Sequence, residues 1–160
     1  MSDQVFNLLL SGTLETLTMT FLSGFFGFIL GLPLGIYLFL TRKHQLLENK
    51  AMHQLVSLLV NVFRSIPFII LIVWMIPFTR NLVGTSIGMA AALVPLSIGA
   101  APFIARLVEN SLLEIPNGLI EASRAMGANA QQVILKVLLP EALPSLVNNA
   151  TITLITLVGY

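Results

Sequence analysis

Long stretches of this chain carry no ionisable group. No Asp, Glu, Lys or Arg occurs in the 26 residues between Glu15 and Arg42, the 25 between Arg80 and Arg106, or the 19 from Ala142 to Tyr160. A fourth apolar stretch, Val56 to Phe78, is interrupted only by Arg64. A helix crosses the hydrocarbon core of a bilayer with about 20 mostly apolar residues. The runs are continuously apolar, without the alternation of a membrane β-strand, which favours helices over a barrel. The sequence therefore predicts an all-α integral membrane protein, a multi-span helical bundle. Its spans are expected at about 16–41, 55–78, 83–105 and 144–160, the last of them incomplete.

Composition closes the other routes. Of 160 residues, 56% are apolar and 9% charged, against about 25% charged in a soluble domain. With a mean hydropathy of +0.93, the apolar excess would face water as aggregation-prone patches. A soluble enzyme and a disordered tail are excluded. The net charge of +1 offers no footprint for a nucleic acid. Without cysteine there is no disulfide, thiolate metal site or thiol nucleophile. The first run is too long for a cleavable signal peptide, and it follows Asp3 and Glu15 rather than a basic region.

Lys and Arg set the orientation. The segment after the first span holds Arg42, Lys43 and Lys50, and the one after the third holds Arg106, Arg124 and Lys136. Between the second and third spans stands only Arg80, and the N-terminus has no basic side chain. The N-terminus and the Arg80 loop are expected outside, and both richer segments in the cytoplasm.

Within the first span, Gly27, Gly31 and Gly35 recur every four residues. That stripe lies on one helix face and admits a neighbouring backbone, so helix packing is favoured over a substrate-lining role. The third span carries Pro95 and Pro102 among small residues. A helix loosened in this way should face protein or a pathway rather than lipid. Arg64, three residues before Pro67, is costly inside a membrane and is paired, snorkelling or functional. Interfacial anchoring and a functional pairing both remain open for it.

The segment 106–143 alone mixes charged with apolar residues over a long stretch. Two short helices are expected there. Pro116 suits the first position of one, which presents Leu119, Ala122 and Met126 on one face and stops at Gly127. Asn129 can cap the second, with Val133, Ile134, Val137 and Leu138 on its apolar side, and Pro140 is expected to end it. Glu121 and Arg124 look like an ordinary pair three residues apart on a helix surface. A face with both signs of charge suits a partner's groove better than a lipid surface. No catalytic constellation stands out. There is no phosphate-cradling loop ending in Lys-Ser or Lys-Thr, so no ATP site of that type, and His44 and His53 lack metal-ligand spacing.

In this segment Glu121-Ala122-Ser123, then Gly127, then Val137-Leu138-Leu139-Pro140 resembles the cytoplasmic signature of bacterial ABC importer permeases. That signature runs Glu-Ala-Ala, three residues, Gly, nine residues, Ile-any-Leu-Pro. Ser123 and Val137 are conservative departures from it. FRSIPFII, VWMIPFTR, GAAPFIAR, GLIEASRAMGA, KVLLPEALP and ATITLITLVGY are similar to the branch that imports methionine, and the likeness runs from about Thr13 to the end. The resemblance implies five spans, of which about four are expected here, so the chain looks C-terminally incomplete. It implies a non-enzymatic pathway subunit in a bacterial inner membrane, importing D- or L-methionine as a homodimer. Its partners would be two cytoplasmic ATPase subunits, which bind MgATP, and an extracytoplasmic methionine-binding protein or lipoprotein. No cofactor is implied for the chain itself. Under the resemblance, Glu121, Ala122, Ser123, Arg124, Gly127, Val137, Leu139 and Pro140 form the segment that couples to the ATPase. An ATP-independent secondary transporter or channel, or an ABC permease for another amino acid, are the rival readings.

Overall fold

The structure, a computed structural model, describes residues 3–160 as helices and short connections, with no strand among the described residues. Helix α1 (Asp3–Thr41) is followed by α2 (Lys50–Ser65), α3 (Phe68–Val83) and α4 (Met89–Leu113). Then come α5 (Asn117–Ala125), α6 (Ala130–Val133), a π-helical turn (Ile134–Leu138) and α7 (Leu139–Val158).

The first helix begins at Asp3, well before the expected start near residue 16. Its polar residues do not interrupt it, because Thr13, Thr16 and Thr18 donate their hydroxyls to carbonyls four residues back at 2.7–2.8 Å. At 39 residues it is about 58 Å long, nearly twice the hydrocarbon thickness. Pro33 sits inside it on an exposed face, and the helix runs on through it to Thr41.

The expected single span at 55–78 is instead two helices meeting at 105°. Proline is the cause. Pro67 excludes the α conformation from the residue before it, and Ile66 accordingly adopts φ −76°, ψ 122° while Pro67 caps α3. By length and composition α1 and α4 can each cross a membrane, with the bent pair as a possible third crossing. The fourth expected span, 144–160, is folded as the end of α7. That helix is long but carries Asn148, Asn149 and three threonines, and it does not reach the apolarity of α1 or α4.

Helix α4 is the hub, packing against α1, α2, α3 and α7. Gly27 faces Ala100 and Ile104, Gly31 faces Ala101 and Ile104, and Gly35 faces Ala105 and Val108. Sequence numbers rise together on the two helices, so α1 and α4 run parallel. The ends of α1 and α4 near Arg42 and Leu113 therefore lie at the same end of the bundle. This agrees with the expectation that both basic segments share one side. A Cβ on Gly35 would lie 2.6 Å from both the Ala105 carbonyl oxygen and the Val108 Cβ. The stripe is thus a seam of close backbone approach, and Phe39, Ile104, Val108 and Leu112 fill the core beside it. Pro95 and Pro102 are buried in α4, against protein as a loosened helix requires.

Candidate functional site

The segment from Glu114 to Leu139 folds as a hairpin of short helices at the end of the bundle shared by Arg42 and Leu113. Pro116 caps α5, one position earlier than expected. The C-terminal end of α5 is closed by paired backbone bonds. Gly127 N–H donates to Arg124 O at 2.9 Å and Ala128 N–H to Ser123 O at 3.1 Å. This six-to-one and five-to-two pairing needs a left-handed residue at the turn, and Gly127 supplies it at φ +87°. Two residues later Asn129 accepts from Gln132 N–H while Gln132 Oε1 accepts from Asn129 N–H, each at 2.9 Å. That reciprocal box starts α6. The corner between the two helices is therefore fixed at both sides by backbone geometry.

Burial divides α5 into two faces. Ile120 and Ser123 are buried, and Ile120 belongs to the same core as Val133 and Leu138, both fully enclosed. Ser123, standing where the family signature has its second Ala, donates its hydroxyl to Leu119 O at 2.7 Å. Its hydroxyl is satisfied within the helix, so the departure adds no unpaired polar group. The strip beside Ile120 and Ser123 is bare. Leu119 is 41% and Met126 82% exposed, and Ala122 lies between them. Glu121 and Arg124 are also exposed, and the expected surface pair between them is not formed: among the described residues both ion pairs end on Glu109. The face expected to meet a partner is thus left uncovered with its charges unspent.

The second half differs from expectation. Pro140 does not end the helix, because the chain continues from Ala130 through Val158. The turn before it widens instead, with Leu139 N–H donating to Ile134 O five residues back. A wider turn makes room for the Pro140 ring, which would otherwise press on the carbonyl four residues earlier. Val137 and Leu139 are half-buried, Leu138 is enclosed, and Pro140 is exposed.

Arg64 is brought to neither a carboxylate nor the core. Its side chain is exposed and its guanidinium lies 5.9 Å from the Phe103 ring centroid, a cation–π placement. It borders a cavity of about 220 Å³ shared with Gly99 and Phe103, from which Pro67 is absent.

Two polar clusters escaped sequence reasoning. Glu109, 2% exposed, accepts from Arg106 at 2.6 Å and lies 3.6 Å from Arg42. Arg106 also donates to Ser57 and to Asn61 of α2, so one guanidinium ties α2 to α4. Between α4 and α7, Asn149 donates to Leu107 O at 3.1 Å and to Ser111 Oγ at 2.6 Å, and Ser111 meets Ser145 at 2.8 Å. The signals were the three-residue spacing of Arg106 and Glu109 and the lone amide pair in the last apolar run.

An all-helical bundle with a glycine seam, a bent middle pair and a displayed hairpin agrees with the membrane component of an ABC importer, and the family match makes that assignment. Residues 27–160 match the family of binding-protein-dependent transport system inner membrane components, and the chain belongs to that family. It is a multi-pass permease subunit of the inner membrane, not itself an enzyme. More particularly, it is 68% identical over 160 residues to the D-methionine transport system permease protein MetI of Escherichia coli K12, covering 100% of this chain and 74% of that protein. It is 54% identical over 154 residues to a probable D-methionine permease of Vibrio cholerae, covering 96% of this chain and 68% of that one. A solved inward-facing structure of the MetNI methionine ABC transporter superposes with a TM-score of 0.98 at 68% identity, over 100% of this chain and 74% of that chain.

Proposed function

We propose that this chain forms the pathway of an ATP-driven methionine importer and docks a cytoplasmic ATPase through α5. The observation that carries the docking role is the division of α5. Ile120 and Ser123 anchor it, while Leu119, Ala122 and Met126 are displayed beside the unpaired Glu121 and Arg124. A short helix with one apolar face and both signs of charge fits a protein groove. Methionine as cargo is supported by the permeases and the transporter to which the chain is similar. In this reading two copies of the chain make the pathway and two ATPase subunits bind below, holding the MgATP. A methionine-binding protein or lipoprotein delivers substrate on the other side. The N-terminus lies outside, and ATPase closure moves α5 and, through the Gly127 corner, the spans.

The test is copurification of the ATPase with the permease, together with ATP hydrolysis read with and without methionine. Glu121→Lys should lose the ATPase while the permease still inserts, and methionine should change hydrolysis where arginine or histidine does not. Unchanged copurification and uptake would remove the docking role; a response to another amino acid alone would reassign the cargo. Orientation is read separately. A reporter active only in the cytoplasm should work when fused near Lys50 or Gln131, and activity at Leu82 would invert the topology.

A further inference from the structure

A second charged cleft, away from α5, opens at the same end of the bundle, between the end of α1, the loop at 42–49 and the start of α2. Its volume is about 400 Å³, and four permanent cations against two carboxylates line it. The two carboxylates are already engaged. Glu109 is held by Arg106 and flanked by Arg42, and Glu48 accepts the His44 backbone N–H at 2.9 Å within its own loop. Lys43 and Lys50 have no acidic partner among the described residues, so the surplus charge belongs to them. His53 is committed elsewhere, its Nδ1 lying 3.0 Å from Leu38 O, so the two lysines are the groups left to meet an anion.

The surroundings say what kind of anion fits. The outer face of α2 beside the cleft is a run of exposed apolar side chains, Met52, Leu55, Leu58 and Val62, and Leu47 extends it from the loop. A basic recess at the rim of an exposed apolar surface matches an amphiphile with a phosphate head and hydrocarbon tails. Basic recesses between membrane helices near the cytoplasmic face recognise anionic lipid headgroups in this way. We propose that this cleft binds the phosphate of one anionic phospholipid of the inner leaflet, with Lys43 and Lys50 as the primary contacts. Bound there, the lipid would bridge α1 and α2 beside the Arg106–Glu109 pair and hold the end of the bundle that carries α5. The proposal rests on the membrane orientation given above for which leaflet supplies the lipid, and the reporter fusions read that orientation independently.

The experiment uses the permease assembled with its ATPase in bilayer discs of phosphatidylcholine containing phosphatidylglycerol, with retained phosphatidylglycerol counted by native mass spectrometry. Both lysines are exposed and make no side-chain hydrogen bond among the described residues, so their replacement leaves the fold intact. The double variant Lys43→Gln, Lys50→Gln should weaken retention on the order of ten- to thirtyfold. Lys136→Gln, a basic residue of the same side outside the cleft, should stay within about twofold of the wild type. Millimolar inorganic phosphate should fail to displace the lipid. Equal retention by the double variant, or an equal loss in Lys136→Gln, overturns the site. Displacement by inorganic phosphate reassigns it to a soluble anion and overturns the lipid. Lipid retained by the permease alone but lost on ATPase assembly would show the cleft to be a partner contact, which also overturns it.

Discussion

The α1–α4 seam and helix α5 are both short-range pieces of helix packing, yet their residues are chosen for opposite reasons. Along the seam, Gly27, Gly31 and Gly35 are constrained by what they touch: at Gly31 and Gly35 the backbone and β-carbons of α4 leave no volume for a side chain, and at Gly27 the fit is tight. At α5, Leu119, Ala122 and Met126 are exposed and belong to neither core cluster. Inside a membrane, lipid is as apolar as leucine, so helices associate through close van der Waals contact and internal hydrogen bonds rather than through a hydrophobic drive. The seam uses the first and the Asn149–Ser111–Ser145 cluster the second. Outside the membrane, an exposed Met at 82% has a cost, and covering it with a partner recovers the buried area.

The largest effect expected on the interior side of this contrast is at Glu109. Replacing it by Gln leaves Arg106 and Arg42 without their carboxylate in a site where the acid is 3% and Arg106 18% exposed. Breaking a buried pair from one side costs about 3–5 kcal/mol, so the thermal midpoint of the purified complex should fall sharply. Arg42→Gln removes a partner that is 47% exposed at 3.6 Å and should cost less than about 0.5 kcal/mol. Equal effects would mean that the cluster is solvated and is not a clamp between α2 and α4.

Next comes the seam itself. Gly35→Ala places a Cβ at 2.6 Å from a carbonyl oxygen, backbone that cannot swing aside, and overpacking of this kind costs about 1–3 kcal/mol. Gly12→Ala meets nothing within 4 Å and should be neutral or slightly stabilising in the same thermal measurement, since Ala is the better helix former. A neutral Gly35→Ala would place α1 and α4 farther apart than the seam requires.

Legibility followed the same division. The apolar cores of α1 and α4, the glycine stripe and the Gly127–Asn129 corner were readable because each depends on local rules: charge spacing, four-residue recurrence and capping chemistry. The bend at Ile66 does not show in apolar length, which runs unbroken through Pro67; it comes from the restriction that a proline places on its predecessor. Pro140 misled in the opposite direction. A proline ends a helix only when the preceding turn stays tight, and the π turn at Ile134–Leu138 relieves it. Glu109 stands three residues from Arg106 and so left a local trace, but its second partner Arg42 and the Asn149 partner Leu107 lie 67 and 42 residues away, where no periodicity links them.

Two substitutions on the hairpin carry the comparison outward. Gly127→Ala forces a Cβ into a left-handed backbone at φ +87°, a strain of about 1–2 kcal/mol. The Cβ itself would meet nothing within 4 Å, so the cost is conformational and confined to the corner. The thermal midpoint should drop modestly, and ATPase copurification should drop further than that stability loss accounts for, because the angle of α5 is set there.

Met126→Asp should have the smallest effect on the isolated permease and is the most telling of the series. The side chain is 82% exposed, so its replacement should change stability by no more than about 0.5 kcal/mol. If α5 fills a groove, however, a carboxylate now enters an apolar contact and must be desolvated there without a counter-charge. Copurification of the ATPase should fall by at least tenfold while insertion, thermal midpoint and secondary structure stay at wild-type values. A loss of stability in parallel would mean that Met126 is packed in the permease itself. Undiminished copurification would mean that the bare face of α5 is simply solvated, and the contrast with the glycine seam would lose its functional half.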